Sequence, residues 1–210
     1  MSTLISNQKA AGVILFSAAA GFILAMSVAE FLYPGYSVSL NYISDLGATC
    51  ASTPCDIVQP TATIFNASVF LLGVAIVSGS YLIYRAFRRR LFSTLLVISG
   101  VGAMGVGVFP ETFPIEHHLF SLIVFLFGGL AALASLTLEA RPFSYLSVGL
   151  GIITLSALGM YATGTYLGIG PGGMERMVAY PVLLWGVGLG GYMMSSKETL
   201  KVVAETRLNA

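Results

Sequence analysis

The sequence predicts an all-α membrane protein: a bundle of six transmembrane helices, both termini in the cytoplasm, with one short amphipathic helix in the first external loop. Three observations carry that reading. Apolar residues make up 56% of the 210 and charged residues only 9%, where a water-soluble domain typically carries about 25% charge. Several apolar runs exceed the roughly 18 residues that mark a membrane span. Nine of the ten Lys and Arg residues then fall on one side of a six-span arrangement.

The spans lie at about 10–33, 60–84, 91–109, 114–138, 143–164 and 174–195. Each covers a hydrocarbon layer of about 30 Å at 1.5 Å per residue. Lipid offers the backbone no hydrogen-bond partners, so the spans are expected to be helices, and the alternating pattern of a barrel is absent. The first run is too long for a cleaved signal peptide and lacks a small-residue cleavage site, so it is expected to stay as a span. No soluble domain fits in the remaining residues, and residues 1–210 are expected to form one membrane domain. The connections around Arg85–Arg90 and Glu139–Pro142 are short, which makes consecutive helices antiparallel neighbours. Residues 197–210 read as a solvated continuation of the sixth helix, through Lys197, Glu198, Lys201, Glu205 and Arg207.

Charge sets the orientation. Lys9, Arg85, Arg88, Arg89, Arg90, Arg141, Lys197, Lys201 and Arg207 share one side; Arg176 alone lies on the other. Basic residues remain cytoplasmic, which makes the chain a multi-pass protein of a cell membrane. The Arg88–Arg90 run reads as an anchor on anionic lipid. A net charge of +1 gives no reason to expect nucleic-acid binding.

Small residues mark candidate packing faces: Ser99, Ala103 and Gly107 on the third helix, Gly151, Leu155 and Gly159 on the fifth, Gly186 and Gly190 on the sixth. They predict a tight bundle and, more weakly, a homo-oligomer. Asn66, one turn inside the second helix, is expected to hydrogen-bond across helices.

The first external loop is the longest. Leu40, Ile43 and Leu46 recur at three-residue spacing and Gly47 suits a helix stop, predicting an amphipathic helix on the outer surface with Asn41, Ser44 and Asp45 on its polar face. Cys50 and Cys55 lie in the same loop. Outside the membrane a disulfide is expected; its short loop contributes about 2 kcal/mol by the chain-entropy model. Two thiols without a nearby His make a poor zinc site.

Ionisable residues away from the cytoplasmic anchors are Glu30, Asp45, Asp56, Glu111, Glu116, His117, His118, Glu175 and Arg176. All fall at outer helix ends or in outer loops. That argues against a proton relay or ion path, and so against a transporter. In the stretch Glu111–His118, Pro114 suits a first helical position and Glu116 complements the helix dipole. His117 and His118 diverge by about 100° on a helix, so at most one turns into the bundle and one metal ion cannot easily take both. No metal and no other cofactor is expected. His118 is the candidate acid–base group, oriented by Asp45 or Glu111. Arg176 either pairs with Asp45, Glu111 or Glu175, or clamps a phosphate or carboxylate. The candidate binding surface is therefore Asn41, Ser44, Asp45, Glu111, His117, His118, Glu175 and Arg176.

The segments Asn41-Tyr-Ile-Ser-Asp-Leu-Gly47, Ile64-Phe-Asn-Ala-Ser68, Gly105-Val-Gly-Val-Phe-Pro-Glu111 with His118, and Gly172-Gly-Met-Glu-Arg-Met177 with Tyr180-Pro-Val give the chain a family resemblance over nearly its whole length. It resembles the domain-of-unknown-function 998 family, archaeal members most closely. That resemblance implies a six-helix membrane protein and no established activity. More distantly the chain is similar to the Frag1/DRAM/Sfk1 membrane proteins, some linked to lipid handling, and to ceramidase-like membrane hydrolases. The latter use a zinc held by three His with a Ser and an Asp. Two adjacent His residues cannot assemble that constellation, though Ser44 and Asp45 echo part of it. Two functions follow as expectations. One is a non-catalytic outer-leaflet module that binds membrane lipid or a membrane-protein partner. The other is a lipid-modifying enzyme, a hydrolase or acyl transferase, with a His/carboxylate site on the outer face.

Overall fold

The computed structural model describes residues 2–50 and 54–195. The expected helical tail, with Lys197, Lys201 and Arg207, lies outside the described residues. Six helices account for most of the rest: α1 (Ser2–Leu32), α2 (Thr61–Phe87), α3 (Arg90–Val108), α4 (Pro114–Ala134), α5 (Phe143–Ala162) and α6 (Gly170–Met194). All six are long and apolar enough to cross a membrane. Four begin within three residues of the apolar runs. The other two start early. α1 reaches back to Ser2 because Gln8, fully buried, donates from Nε2 to the Met193 carbonyl at 2.9 Å. α6 starts at Gly170 because its first turn docks on the loop after α1.

Consecutive helices pack as neighbours, α6 returns to α1, and α4 touches α6 inside α5. The ring buries two large apolar clusters, with a small third around Ala157, Met174 and Val178. One, around Phe22, Met26, Phe65, Leu72 and Leu183, lies toward the end that carries the 33–60, 109–113 and 163–169 connections. The other, around Leu15, Phe92, Leu138, Trp185 and Met193, lies toward the end that carries the two shorter connections. Large aliphatic side chains stay exposed on the ring's outside, among them Leu24, Leu71, Leu91, Leu119, Leu146 and Leu184. Water would penalise so wide an apolar face; lipid does not.

Close backbone approach explains which glycines matter. A Cβ at Gly73 on α2 would lie 2.5 Å from the Gly100 carbonyl oxygen on α3, and one at Gly190 on α6 would lie 2.6 Å from the Phe16 amide nitrogen on α1. Of the faces read from sequence, Gly107 abuts the Asn66 carbonyl, Gly151 the Gly129 carbonyl, and Gly186 only reaches Ala19; Gly159 has nothing within 4 Å. Hydroxyls add cross-links that lipid cannot compete for: Ser80 to the Ser93 carbonyl at 2.7 Å and Ser99 to the Val124 carbonyl at 2.9 Å. Asn66 bonds to the Gly47 carbonyl in the loop at 3.3 Å, not to another helix.

Candidate functional site

The loop after α1 folds over its end of the bundle. The amphipathic helix expected there is a single 3₁₀ turn, Ser44–Leu46. Leu40 stays exposed, while Ile43 and Leu46 drop into the core and take Ser44 and Asp45 inward with them. Asp45 organises the chain around it. Its carboxylate accepts from Asn41 Nδ2 at 3.0 Å and from the Tyr42 amide at 2.9 Å, and its carbonyl accepts from Thr49 Oγ1 at 3.1 Å. Further along, Thr49 pairs with Asp56 and a disulfide joins Cys50 to Cys55.

Arg176 does not take any of the partners that sequence suggested. Its guanidinium is buried and pairs with Glu30 of α1 at 2.5 Å. It also donates to the Tyr36 hydroxyl at 2.6 Å and to the carbonyls of Val38, Asn41 and Gly172 at 2.9, 3.2 and 2.9 Å. Burial pushes the Tyr36 phenol well above its ordinary value, the nearby Arg176 charge notwithstanding. The phenol therefore keeps its proton and donates it to the Tyr42 carbonyl at 2.8 Å. Gly172 permits this docking: a Cβ there would lie 2.0 Å from the Asn41 carbonyl oxygen. Arg176 thus clasps α6, α1 and the loop together, with both terminal nitrogens of its guanidinium bonded to protein acceptors.

Beside this clasp, α4, α5, α6 and the loop enclose a cavity of about 490 Å³. Ser44, Glu111, His117, His118 and Glu175 form its polar wall, and Leu122, Phe125, Leu158 and Val178 its apolar one. Ser44 Oγ donates to Glu111 Oε1 at 2.5 Å. The Ile43 amide donates to Glu175 Oε2. Burial pushes the Glu111 carboxyl above the usual range; the Ser44 bond opposes that, the Asp45 charge adds to it, and His118 and the Cys50 backbone oppose it. Of the adjacent histidines, His117 is the buried one and His118 the exposed one, although both border the cavity. His117 Nδ1 faces the Phe109 carbonyl at 2.9 Å and His118 Nδ1 the Pro114 carbonyl at 2.5 Å. A carbonyl only accepts, so Nδ1 is assigned the proton in each ring and Nε2 the lone pair. Asn41, Asp45 and Arg176 do not border the cavity.

A second, apolar cavity of about 110 Å³ runs along the bundle axis between α1, α2, α3, α4 and α6. It shares Ser44, Ser121, Phe125 and Glu175 with the first, and its lining extends to Trp185 and Leu189. From Glu175 to Leu189 is 14 residues, about 21 Å at 1.5 Å per residue.

A family model described as a protein of unknown function, DUF998, matches residues 16–192. The chain belongs to the DUF998 family. The match takes in α2 to α5 whole, most of α6 and the second half of α1, and with them every residue bordering the polar cavity. No curated protein and no solved structure matches this DUF998 protein. Sequence reasoning missed Glu30 as the partner of Arg176, and missed Tyr42, Ser121 and Tyr161 on the cavity wall. Only Ser121 carried a local signal: it is a hydroxyl in an apolar span, one turn after His117. Among the described residues no three His, Cys, Asp or Glu side chains converge as a metal site.

Proposed function

We propose that this DUF998 protein binds a lipid of the outer leaflet, its head group in the polar cavity and an apolar tail toward the bundle axis. The observation that carries the reading is the polar cavity itself. Its 490 Å³ falls within the roughly 300–1,000 Å³ of small-molecule sites. Its lining combines polar residues with apolar ones one or two turns further along the same helices, His117 and His118 with Leu122 and Phe125 on α4 and Glu175 with Val178 on α6, and it lies beside an apolar cavity in the core. The orientation belongs to the same proposal: termini in the cytoplasm of a cell-membrane protein, cavity on the outer face. Supporting it, Arg85, Arg88 and Arg141 at the basic end lie over Tyr81, Tyr84 and Tyr145, as residues at a lipid–water boundary do.

A second reading draws on one contact. The Ser44 hydroxyl, bonded to Glu111 beside two imidazoles, supplies a nucleophile and bases at one depth. That suits a hydrolase or acyl transferase acting on the bound lipid.

The test is native mass spectrometry of protein extracted with its lipid. The wild type is expected to retain lipid, and a Leu158→Trp/Val178→Trp variant, filling the cavity, to lose at least tenfold of it with unchanged melting temperature. Equal retention by a folded variant would sink the lipid reading. A stable complex with a partner subunit or second copy, without lipid, would favour an accessory role. Turnover of the retained lipid that Ser44→Ala abolishes would favour the enzyme.

A further inference from the structure

We infer that the head group held in the polar cavity is a hydrogen-bond donor, a hydroxyl or protonated amine on a single-chain amphiphile, and not a phosphate. The inference rests on the lipid reading above and adds the chemistry of the ligand. Four observations carry it, the first being the inventory of the wall. Glu111, Glu175, His117 and His118 present carboxyl oxygens and the Nε2 lone pairs left when Nδ1 bonds a carbonyl. All of these accept. The side-chain donors are the hydroxyls of Tyr42, Ser44, Ser121 and Tyr161; all are neutral and can accept as well, and Ser44 already gives its proton to Glu111.

The second observation is where the cation went. A phosphate site needs guanidinium, ammonium or free backbone N–H groups. Among the described residues no Lys or Arg borders this cavity. Arg176, the nearest in sequence to Glu175, is turned to Glu30, Tyr36 and three carbonyls. The third is that the helix starts offer few amides: Pro114 and Pro171 bring no N–H, the Gly172 amide bonds to the Ser39 carbonyl, and Glu116 puts a carboxyl group in the first turn of α4. A phosphate here would face two carboxyl groups with no fixed cation; a hydroxyl or ammonium would meet acceptors on several sides.

The fourth concerns the tail. The axial cavity holds only about 110 Å³, with a lining that reaches from Ser44 and Glu175 to Trp185 and Leu189, a volume that suits one chain end and not two. Its far lining includes Trp185, the only tryptophan of the chain.

The experiment uses the purified full-length protein in amphipol, which avoids sugar detergents. Three probes of equal chain length are offered separately: 1-monododecanoylglycerol, dodecylamine and dodecyl phosphate. Retention is read by native mass spectrometry. The glycerol ester and the amine are expected to bind at least tenfold more tightly than the phosphate, and Glu111→Gln to cut amine binding at least fivefold while the melting temperature holds. A phosphate bound as tightly as either of the others, or an amine indifferent to Glu111→Gln, would overturn the head-group assignment and leave lipid binding standing. Retention of none of the three would overturn the lipid reading with it.

Discussion

Two buried charges at opposite ends of the bundle show how differently a membrane protein treats an ionisable side chain. Arg176 is satisfied by an ion pair and four hydrogen-bond acceptors, with only Nε left without a partner. Glu139, in the connection between α4 and α5, is 3% exposed and forms no ion pair among the described residues. Ser135 Oγ donates to its Oε2 at 2.9 Å, whereas Oε1 and the neighbouring Trp185 Nε1 make no hydrogen bond. Burial pushes the carboxyl from its ordinary 4.5 up to about 7, with Ser147, Ser135 and Trp185 opposing the rise. The raised value means the folded state holds this proton more tightly than the unfolded chain does. The stabilisation is complete below pH 4.5 and is lost as pH rises through about 7. Glu139→Gln keeps the neutral form at every pH. It is expected to match the wild type near pH 5 and to exceed it at pH 8, by on the order of 2–3 kcal/mol. Thermal unfolding in nanodiscs at the two pH values checks this; parallel pH curves for the two proteins would remove the explanation.

At the scale of elements, the helices are held by close approach and not by an apolar driving force, because lipid tails are as apolar as the side chains they would replace. The α2–α3 seam is the clearest case. A Cβ at Gly73 would meet two backbone atoms of α3, the Gly100 oxygen at 2.5 Å and the Met104 nitrogen at 2.6 Å. Backbone cannot rotate aside, so the helices must part. Gly73→Ala is expected to cost about 1–3 kcal/mol, the usual range for overpacking. Gly21→Ala, with nothing within 4 Å of its Cβ, is expected to leave the melting temperature unchanged. Equal melting temperatures for the two variants would deny the seam its role. The loop after α1 follows a related logic. It is long, yet Asp45, Thr49 and the disulfide tie it internally, and Arg176 ties it to α6 and α1. Ser44, the loop's part of the polar wall, is therefore presented by a tied segment.

For the whole molecule, the distribution of charge and polarity makes the two ends unlike. One carries arginines over tyrosines and short connections; the other carries the ordered loop, the clasp and the cavity. The orientation proposed above is expected to show in chemical labelling of intact cells, in a Cys50→Ser/Cys55→Ser background. A cysteine at Thr165, exposed in the α5–α6 connection, should react with a membrane-impermeant maleimide. One at Thr137, exposed between α4 and α5, should react only after permeabilisation. The reverse pattern would invert the protein and place the cavity on the cytoplasmic side.

Composition and run length alone determined the six spans, since transfer into lipid is summed locally along the chain and each run reports on itself. Local spacing likewise made Cys50 and Cys55, five residues apart, legible as a pair, and the roughly 100° between adjacent helical positions is why only one of two adjacent histidines is buried. Partner choice is a different kind of quantity. Arg176 finds Glu30 across 146 positions, Ser44 finds Glu111 across 67, and Glu139 is buried by helices that meet over it. Hydrogen bonds form between groups brought within about 3 Å, and which groups those are follows from how six helices close into a ring. Sequence could therefore collect most of the polar residues into one region. Only the packed bundle decided that Arg176 is a clasp, and that Ser44, Glu111, His117, His118 and Glu175 share a cavity.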